Sequence, residues 1–288
     1  MQVGSIREIH RYPVKSMGGE TLSEVALGAG GLPGDRAWAV RDEVRGGIRG
    51  GKKIPALMTL SARYGQEPAD TGSSPAEITL PDGSRVETGA RDVNERLTAA
   101  LEHEVSLWPL LPADALDHYR RGQPSHDNLE TELRAIFGRA EGEPLPDLGK
   151  FPPELLEFES PPGTYFDAFP LLLLTDTVLE RMTEKEPGSR FEVRRFRPNF
   201  VITNAHSEEM MPELAWCGRR LRLGEAVLRV NMECPRCVMV THGFDDLPKD
   251  PVVMRALVRE LGGNLGVYAS VETPGRVRTG DVVELLSD

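Results

Sequence analysis

Two of the three cysteines in this 288-residue chain stand in one tetrapeptide, Cys234-Pro235-Arg236-Cys237. A thiolate is a strong nucleophile and a soft metal ligand, and an arginine between the two sulfurs would favour the ionised form. Four interpretations compete for the pair. It could be two small buried hydrophobic residues, a redox pair, part of a zinc site, or a ligand for another soft metal or a cofactor.

The residues around the pair argue against the redox and zinc interpretations. Redox-active pairs place the first sulfur at a helix N-terminus, whereas Val238–Thr241 is predicted to form a strand. A zinc site could draw on Cys217, Cys234, Cys237 and His242, but only the central pair has the usual tight spacing. A disulfide within the pair would close a strained loop, and the odd cysteine count without a secretory leader predicts a reducing, cytoplasmic location. A soft-metal or cofactor ligand is the remaining hypothesis, although an isolated cysteine is more often simply buried.

Composition and charge exclude several classes of function. The formal net charge of −11 disfavours nucleic acid as a partner, and no apolar run approaches a membrane span. Residues 1–53 are nevertheless basic, with nine Lys or Arg against six acids, and residues 190–199 contain four arginines. Such runs are usually solvated faces, but here they could also form two halves of one anion pocket.

The hydrophobic pattern predicts many short strands and few helices. In residues 1–111, strands are expected near 3–10, 23–27, 36–40, 56–64, 77–80, 85–88 and 104–110, with one helix at 91–101. Residues 112–162 are polar and proline-rich, predicting a linker or insertion with one helix, Leu129–Phe137.

Residues 163–288 resume the strand pattern. Strands are expected at 169–175, 197–203, 219–223, 225–232, 266–271 and 281–286, with helices after Thr175 and at Pro251–Leu261. The spacing predicts a mainly β (α+β) protein: a β-barrel, a smaller β-rich N-terminal domain and a few peripheral helices.

Five motifs in this order resemble the MOSC superfamily, which includes the mitochondrial amidoxime-reducing component and its bacterial relatives. The resemblance covers nearly the whole chain and is weakest across residues 111–163. The motifs are Tyr12-Pro13-Val14-Lys15-Ser16, Gly34-Asp35-Arg36-Ala37-Trp38, Arg195-Phe196-Arg197-Pro198-Asn199, Cys234-Pro235-Arg236-Cys237 and Pro274-Gly275-Arg276-Val277-Arg278-Thr279-Gly280-Asp281.

The resemblance implies a MOSC N-terminal β-rich domain at 1–111 and a MOSC-type β-barrel at 163–288, binding Mo-molybdopterin. It implies that Cys237 is the catalytic thiolate ligand of molybdenum, leaving Cys234 as a packing residue. The cofactor-binding residues that it implies are Lys15, Ser16, Arg36, Asp167, Thr175, Arg197, Asn199 and Cys237.

The resemblance also implies an oxidoreductase that reduces small N-hydroxylated, amidoxime-like substrates by removing oxygen at molybdenum. Three cysteines are too few for a [2Fe–2S] cluster, so electrons are expected from a separate donor protein. No pyridoxal phosphate, nucleic acid or membrane is expected. His242 could donate a proton, although a histidine in this position is more often structural. Two alternatives are a cofactor or sulfur carrier without turnover and a zinc-stabilised interaction module.

Overall fold

Alternating apolar and polar residues form sixteen strands in the structure, a computed structural model that describes residues 1–204 and 208–287. No helix in these two ranges is long and apolar enough to cross a membrane.

The first strands are β1 (Gln2–Arg11), β2 (Glu20–Leu22), β3 (Glu24–Leu27), β4 (Trp38–Asp42), β5 (Ile48–Arg49), β6 (Ser61–Arg63), β7 (Glu77–Thr79), β8 (Arg85–Glu87) and β9 (Val105–Pro109). The later strands are β10 (Leu171–Thr175), β11 (Phe200–Asn204), β12 (Arg220–Leu223), β13 (Ala226–Pro235), β14 (Asn264–Thr273), β15 (Gly275–Arg278) and β16 (Val282–Leu285). The α-helices are α1 (Val93–Leu101), α2 (Leu116–Tyr119), α3 (Leu129–Phe137), α4 (Asp176–Lys185), α5 (Val193–Phe196) and α6 (Pro251–Leu261).

Seven strands close into a barrel, in the order β11, β10, β14, β13, β12, β16 and β1, with β1 pairing back onto β11. All neighbours are antiparallel except β10 and β11, whose parallel pairing follows the crossover through α4 and α5. Inward-facing side chains such as Ile9, Leu173, Leu228 and Val267 are fully buried and fill the interior, as expected for a narrow barrel. The predicted mainly β fold with a barrel is confirmed.

Two three-stranded sheets, β5-β4-β9 and β6-β7-β8, build most of the first region. Their core includes Val40, Ile78 and Leu97, the last from α1. Strand β1 belongs to the barrel, so the chain passes from barrel to first region just after Arg11. This crossing places the next residues, including Lys15, at the junction of the two parts.

Residues 112–162, called here the connecting segment, lie against both parts. Tyr119 and Phe158 pack with Ile48 and Tyr165 in a small core of their own. Helix α3 follows the predicted bounds, and its only buried residue is Glu132. The apolar side chains of α3 therefore face something other than a hydrophobic core.

Two predicted strands are wrong. Residues 56–64 begin as a 3₁₀ helix, Pro55–Thr59, because proline at its first position favours a helical start, and β6 follows only at Ser61. Val238–Thr241 is also a 3₁₀ turn, preceded by Cys237. Within it Met239 and Val240 pack into two different hydrophobic clusters, and this tertiary burial overrides the strand preference of β-branched residues.

Candidate active site

One cavity of about 550 Å³ is lined by residues of the barrel, the first region and the connecting segment. More than half of its basic side chains come from the first region, its two thiols come from the barrel part, and several of its apolar side chains come from α3. Seven of the eight residues predicted for the site line this cavity: Lys15, Ser16, Arg36, Asp167, Arg197, Asn199 and Cys237.

Lys15 and Asp167 form an ion pair on the cavity wall. The Lys15 Nζ donates to Asp167 Oδ1 at 2.8 Å and to the Tyr165 carbonyl at 2.7 Å. Burial lowers the pKa of Lys15. Burial by itself would raise the pKa of Asp167, but the positive charges of Lys15 and Lys52 hold it well below its usual range. The Asp167 side chain stays 43% exposed, so an ionised carboxylate borders the cavity.

A tight loop places Ser16 and Lys52 beside this pair. Ser16 has a left-handed backbone (φ 70°), and its Oγ accepts the Gly51 N–H at 2.8 Å. A Cβ on Gly50 would approach Ser16 Oγ to 2.7 Å, so glycine permits this close contact. The Lys52 Nζ then lies 3.5 Å from Asp167 Oδ1 and 3.7 Å from Glu159 Oε1. Burial opposes the charge of Lys52, but these carboxylates raise its pKa overall.

Arg36 and Arg197 converge on the ring of Tyr12. Their guanidinium carbons lie 5.0 Å and 4.2 Å from the ring centroid, within cation–π range. Asp35 accepts the Tyr12 N–H at 2.7 Å, pairs with the Arg36 guanidinium and accepts Asn199 Nδ2 at 3.0 Å. The two basic segments distinguished by charge in the sequence therefore meet at one place.

Arg197 has unused hydrogen-bonding capacity. Its Nη1 donates to the Met17 carbonyl at 2.5 Å, but its buried Nη2 has no hydrogen-bond partner in the part of the chain that the structure describes. Burial lowers the pKa of Arg197 to about 10, so the group remains cationic at neutral pH. A buried unpaired N–H of a cation is costly, and an anionic ligand would satisfy it.

The two cysteines of the tetrapeptide have different surroundings. Cys234 is buried, and its Sγ accepts a hydrogen bond from Arg236 Nη1 at 3.0 Å. Burial raises the pKa of this thiol even beside the guanidinium. Cys237 is only half-buried and lines the cavity, where it interacts electrostatically with Lys52 and Arg139. Of the two, Cys237 is the thiol more accessible to a ligand.

Most of the chain matches known family models. A family model of the MOSC N-terminal beta barrel domain matches residues 3–110, and one of the MOSC domain matches residues 162–284. The chain belongs to the MOSC family. Mitochondrial amidoxime-reducing component 1 of Mus musculus is 27% identical to this MOSC protein, over 99% of the chain and 83% of its own length. Mitochondrial amidoxime reducing component 2 of Homo sapiens is also 27% identical, over 98% and 83%. The solved YuaD protein from Bacillus subtilis aligns over 99% of this chain and 97% of its own, with 14% identity and a TM-score of 0.45.

Thr175 is the one predicted site residue of this MOSC chain that does not line the cavity. Its Oγ1 donates to Glu213 Oε2 at 2.7 Å, and its N–H donates to Glu213 Oε1 at 3.2 Å. Asn199 lines the cavity but is engaged on both amide atoms, because its Oδ1 accepts the Leu172 N–H and its Nδ2 bonds Asp35. Its side chain positions the residues around it.

The alternative zinc site is not assembled in the described residues. No group of three or more His, Cys, Asp or Glu side chains in these ranges could hold a metal ion. Cys217 packs against the barrel core, and His242 lines a separate small pocket with Pro55 and Lys249. All three cysteines are free.

Sequence reasoning missed several residues of the cavity wall. Lys52 belongs to the basic first region but was not distinguished from its exposed neighbours, and Tyr268 on β14 carries no motif. Glu159 lies in the connecting segment, where the family resemblance is weakest. The helical spacing of apolar residues in α3 was visible in the sequence, but it indicated a helix and not the target that the helix faces.

Proposed function

We propose that this MOSC protein is a molybdenum-cofactor-dependent oxidoreductase that reduces N-hydroxylated compounds such as amidoximes. One observation carries the proposal: the half-buried thiol of Cys237 and the unsatisfied guanidinium of Arg197 line the same cavity. Two relatives that align over nearly the whole chain are named as amidoxime-reducing components.

The residues present fit a cofactor that carries a soft metal and a phosphate. Cys237 would supply the sulfur ligand of molybdenum, since thiolates suit soft metals. Arg197 and Arg36 would hold the phosphate, because guanidinium groups recognise phosphate oxygens with paired N–H groups. The carboxylate of Asp167, held in place by Lys15, would offer an acceptor to the polar parts of the cofactor.

An external electron donor supplies the two electrons that the net reaction requires. The N–O bond is broken, two electrons arrive from the donor protein and two protons are taken up: one forms the N–H bond of the amidine, and the other joins the hydroxyl, which leaves as water. The bound cofactor would supply the two-electron chemistry and the site of oxygen removal.

The chain's own residues would provide charge and hydrogen bonds around the reacting group. Lys52 keeps its proton at neutral pH because its pKa is raised, so it is a fixed positive charge near Cys237. Burial first, then the nearby Cys234 and Asp167, raises the pKa of Tyr268 well above its usual value. The neutral hydroxyl of Tyr268 therefore keeps a hydrogen to donate.

The test is turnover by molybdenum-loaded protein supplied with a reduced viologen. We expect an amidoxime to be converted to the amidine, no oxidation of NADH by the protein alone, and no turnover by Cys237→Ser. Cys217→Ser is the matched control, since Cys217 packs against the barrel core, and it should retain activity. Loaded protein that is inactive towards N-hydroxylated compounds, N-oxides and S-oxides would contradict the proposal and favour a carrier of cofactor or sulfur.

A further inference from the structure

The apolar stripe of helix α3 faces the cavity. Leu129, Leu133, Ile136 and Phe137 are spaced so that they share one side of the helix, and all four line the cavity wall. Amphipathic helices normally bury such a stripe in a hydrophobic core. Here Leu129 is 71% exposed and the other three are only half-buried. An apolar surface left open on a concave wall is typical of a ligand-binding site.

The connecting segment contributes further apolar side chains to the same cavity. Phe151 and Leu155, in and beside a 3₁₀ turn after α3, also line it, and Leu156 is 76% exposed beside them. The basic side chains of the cavity come mostly from the first region and from Arg197. The cavity therefore combines a cationic wall with an apolar wall built by a different part of the chain.

The apolar wall ends next to the predicted metal-binding thiol. Gly138 follows α3 directly, and a Cβ placed on it would lie 3.4 Å from the Cα of Val238. Val238 is the residue after Cys237. A molecule whose reactive end reaches Cys237 could therefore lay its remaining part along α3.

Polar contacts hold α3 in place at both ends. At its start, Glu132 pairs with Lys53 and accepts the backbone N–H groups of Ser125 and His126 at 3.2 and 3.1 Å. After its end, Arg139 donates to the carbonyl of Gly263 at 3.2 Å. The apolar wall is thus a preformed surface, which reduces the entropic cost of binding.

We infer that the α3 stripe binds the apolar body of the substrate, so that the preferred substrates are N-hydroxylated compounds with an extended alkyl or aryl group. This inference rests on the proposed function for the N-hydroxylated end. At 1.5 Å per residue the stripe from Leu129 to Phe137 is about 12 Å long, which suits a chain on the order of eight carbons. Compact polar compounds leave the stripe exposed and bind weakly.

The experiment uses straight-chain amidoximes of increasing length with molybdenum-loaded protein and reduced viologen. We expect kcat/KM to rise about two- to four-fold per added methylene until the stripe is covered. Leu133→Ala should lower kcat/KM for the eight-carbon substrate about ten-fold and for acetamidoxime less than two-fold. Leu116→Ala is the matched control, because Leu116 lies on α2 in the same segment and does not line the cavity.

Calorimetric binding of the same amidoximes separates this inference from the proposed function. Length-dependent binding that Leu133→Ala weakens, without any turnover, would support the apolar subsite and contradict the reductase. Turnover that is independent of chain length, or equally lowered for short and long substrates, would overturn the subsite and leave the reductase standing. Loss of molybdenum from Leu133→Ala would also overturn it, since the stripe would then serve the cofactor. Absence of both turnover and length-dependent binding would contradict both proposals.

Discussion

Glu213 is a fully buried carboxyl group next to the barrel, and it should make the stability of the protein depend on pH. Its two oxygens accept the hydroxyl and the N–H of Thr175 at 2.7 and 3.2 Å. Burial raises the pKa of Glu213 to about 7, and the nearby charge of Asp176 adds to the rise. The folded protein therefore retains a proton that the unfolded chain releases at a lower pH.

The size of the effect follows from the two pKa values. Glu has a pKa of roughly 4.3 in an unfolded chain. The stability contributed by the protonated carboxyl is complete below that pH and is lost as the pH rises through the folded value of about 7. Between pH 5 and pH 8 the free energy of unfolding should fall by about 2.5 kcal/mol through this group alone.

Glu213→Gln should remove this pH dependence. A glutamine can accept the Thr175 N–H through its carbonyl and donate from its amide to the Thr175 hydroxyl, so the local bonds can be kept. Urea unfolding followed by tryptophan fluorescence is suitable, since Trp216 lies in the same 3₁₀ helix as Glu213. Between pH 5 and pH 8, the free energy of unfolding of the variant should fall by about 2.5 kcal/mol less than that of the wild type.

Glu184→Gln is the control, because Glu184 is exposed on α4. It should follow the wild-type dependence on pH. If the free energy of unfolding of Glu213→Gln follows the same dependence on pH as that of the wild type, the reasoning is refuted, since Glu213 would then have the same pKa in the folded and unfolded states.

Three further changes test the cavity. Cys237→Ser should lose bound molybdenum by metal analysis, whereas Cys234→Ser should retain most of it, because Cys237 is the more exposed of these two thiols; equal losses would contradict this asymmetry. Arg197→Lys keeps the charge but removes the unsatisfied N–H, so the amount of cofactor retained on dialysis should fall about ten-fold or more. The circular dichroism spectrum should be unchanged, and full retention of cofactor would argue against a phosphate contact. Glu132→Gln should speed amide hydrogen exchange at residues 125–132, since it weakens the pairing with Lys53 that holds the start of α3; unchanged protection would show that other contacts hold it.

Local patterns in the sequence predicted most elements well. The bounds of α3 and α6 agree with the structure, because amphipathic spacing, a terminal glycine and an N-terminal proline act within a few residues. The conformation of residues 238–241 was predicted wrongly because it depends on residues that are distant in the sequence. Their conformation is set by the packing of Met239 and Val240 into two separate clusters, which no short window of sequence contains.

The sequence by itself determined the chemistry that is available to this protein. It supplied a pair of cysteines in a distinctive motif, two basic segments, an amphipathic helix in a polar stretch, and enough short alternating runs to indicate a barrel. Residue types and spacings of this kind are local properties, so they can be read without knowing the fold.

Only the tertiary structure decided how those parts combine. Closure of the barrel through β1 and β11 brings the loop carrying Lys15 beside Arg197 and Cys237, although the three residues are far apart in sequence. Contacts of Glu132 with Lys53 and of Arg139 with Gly263 hold the stripe of α3 at the cavity, and Thr175 bonds to Glu213 away from it. Such placements depend on long-range strand pairing and on burial. The physical reason is that a side chain's partners are set by which distant surfaces the closed barrel brings together.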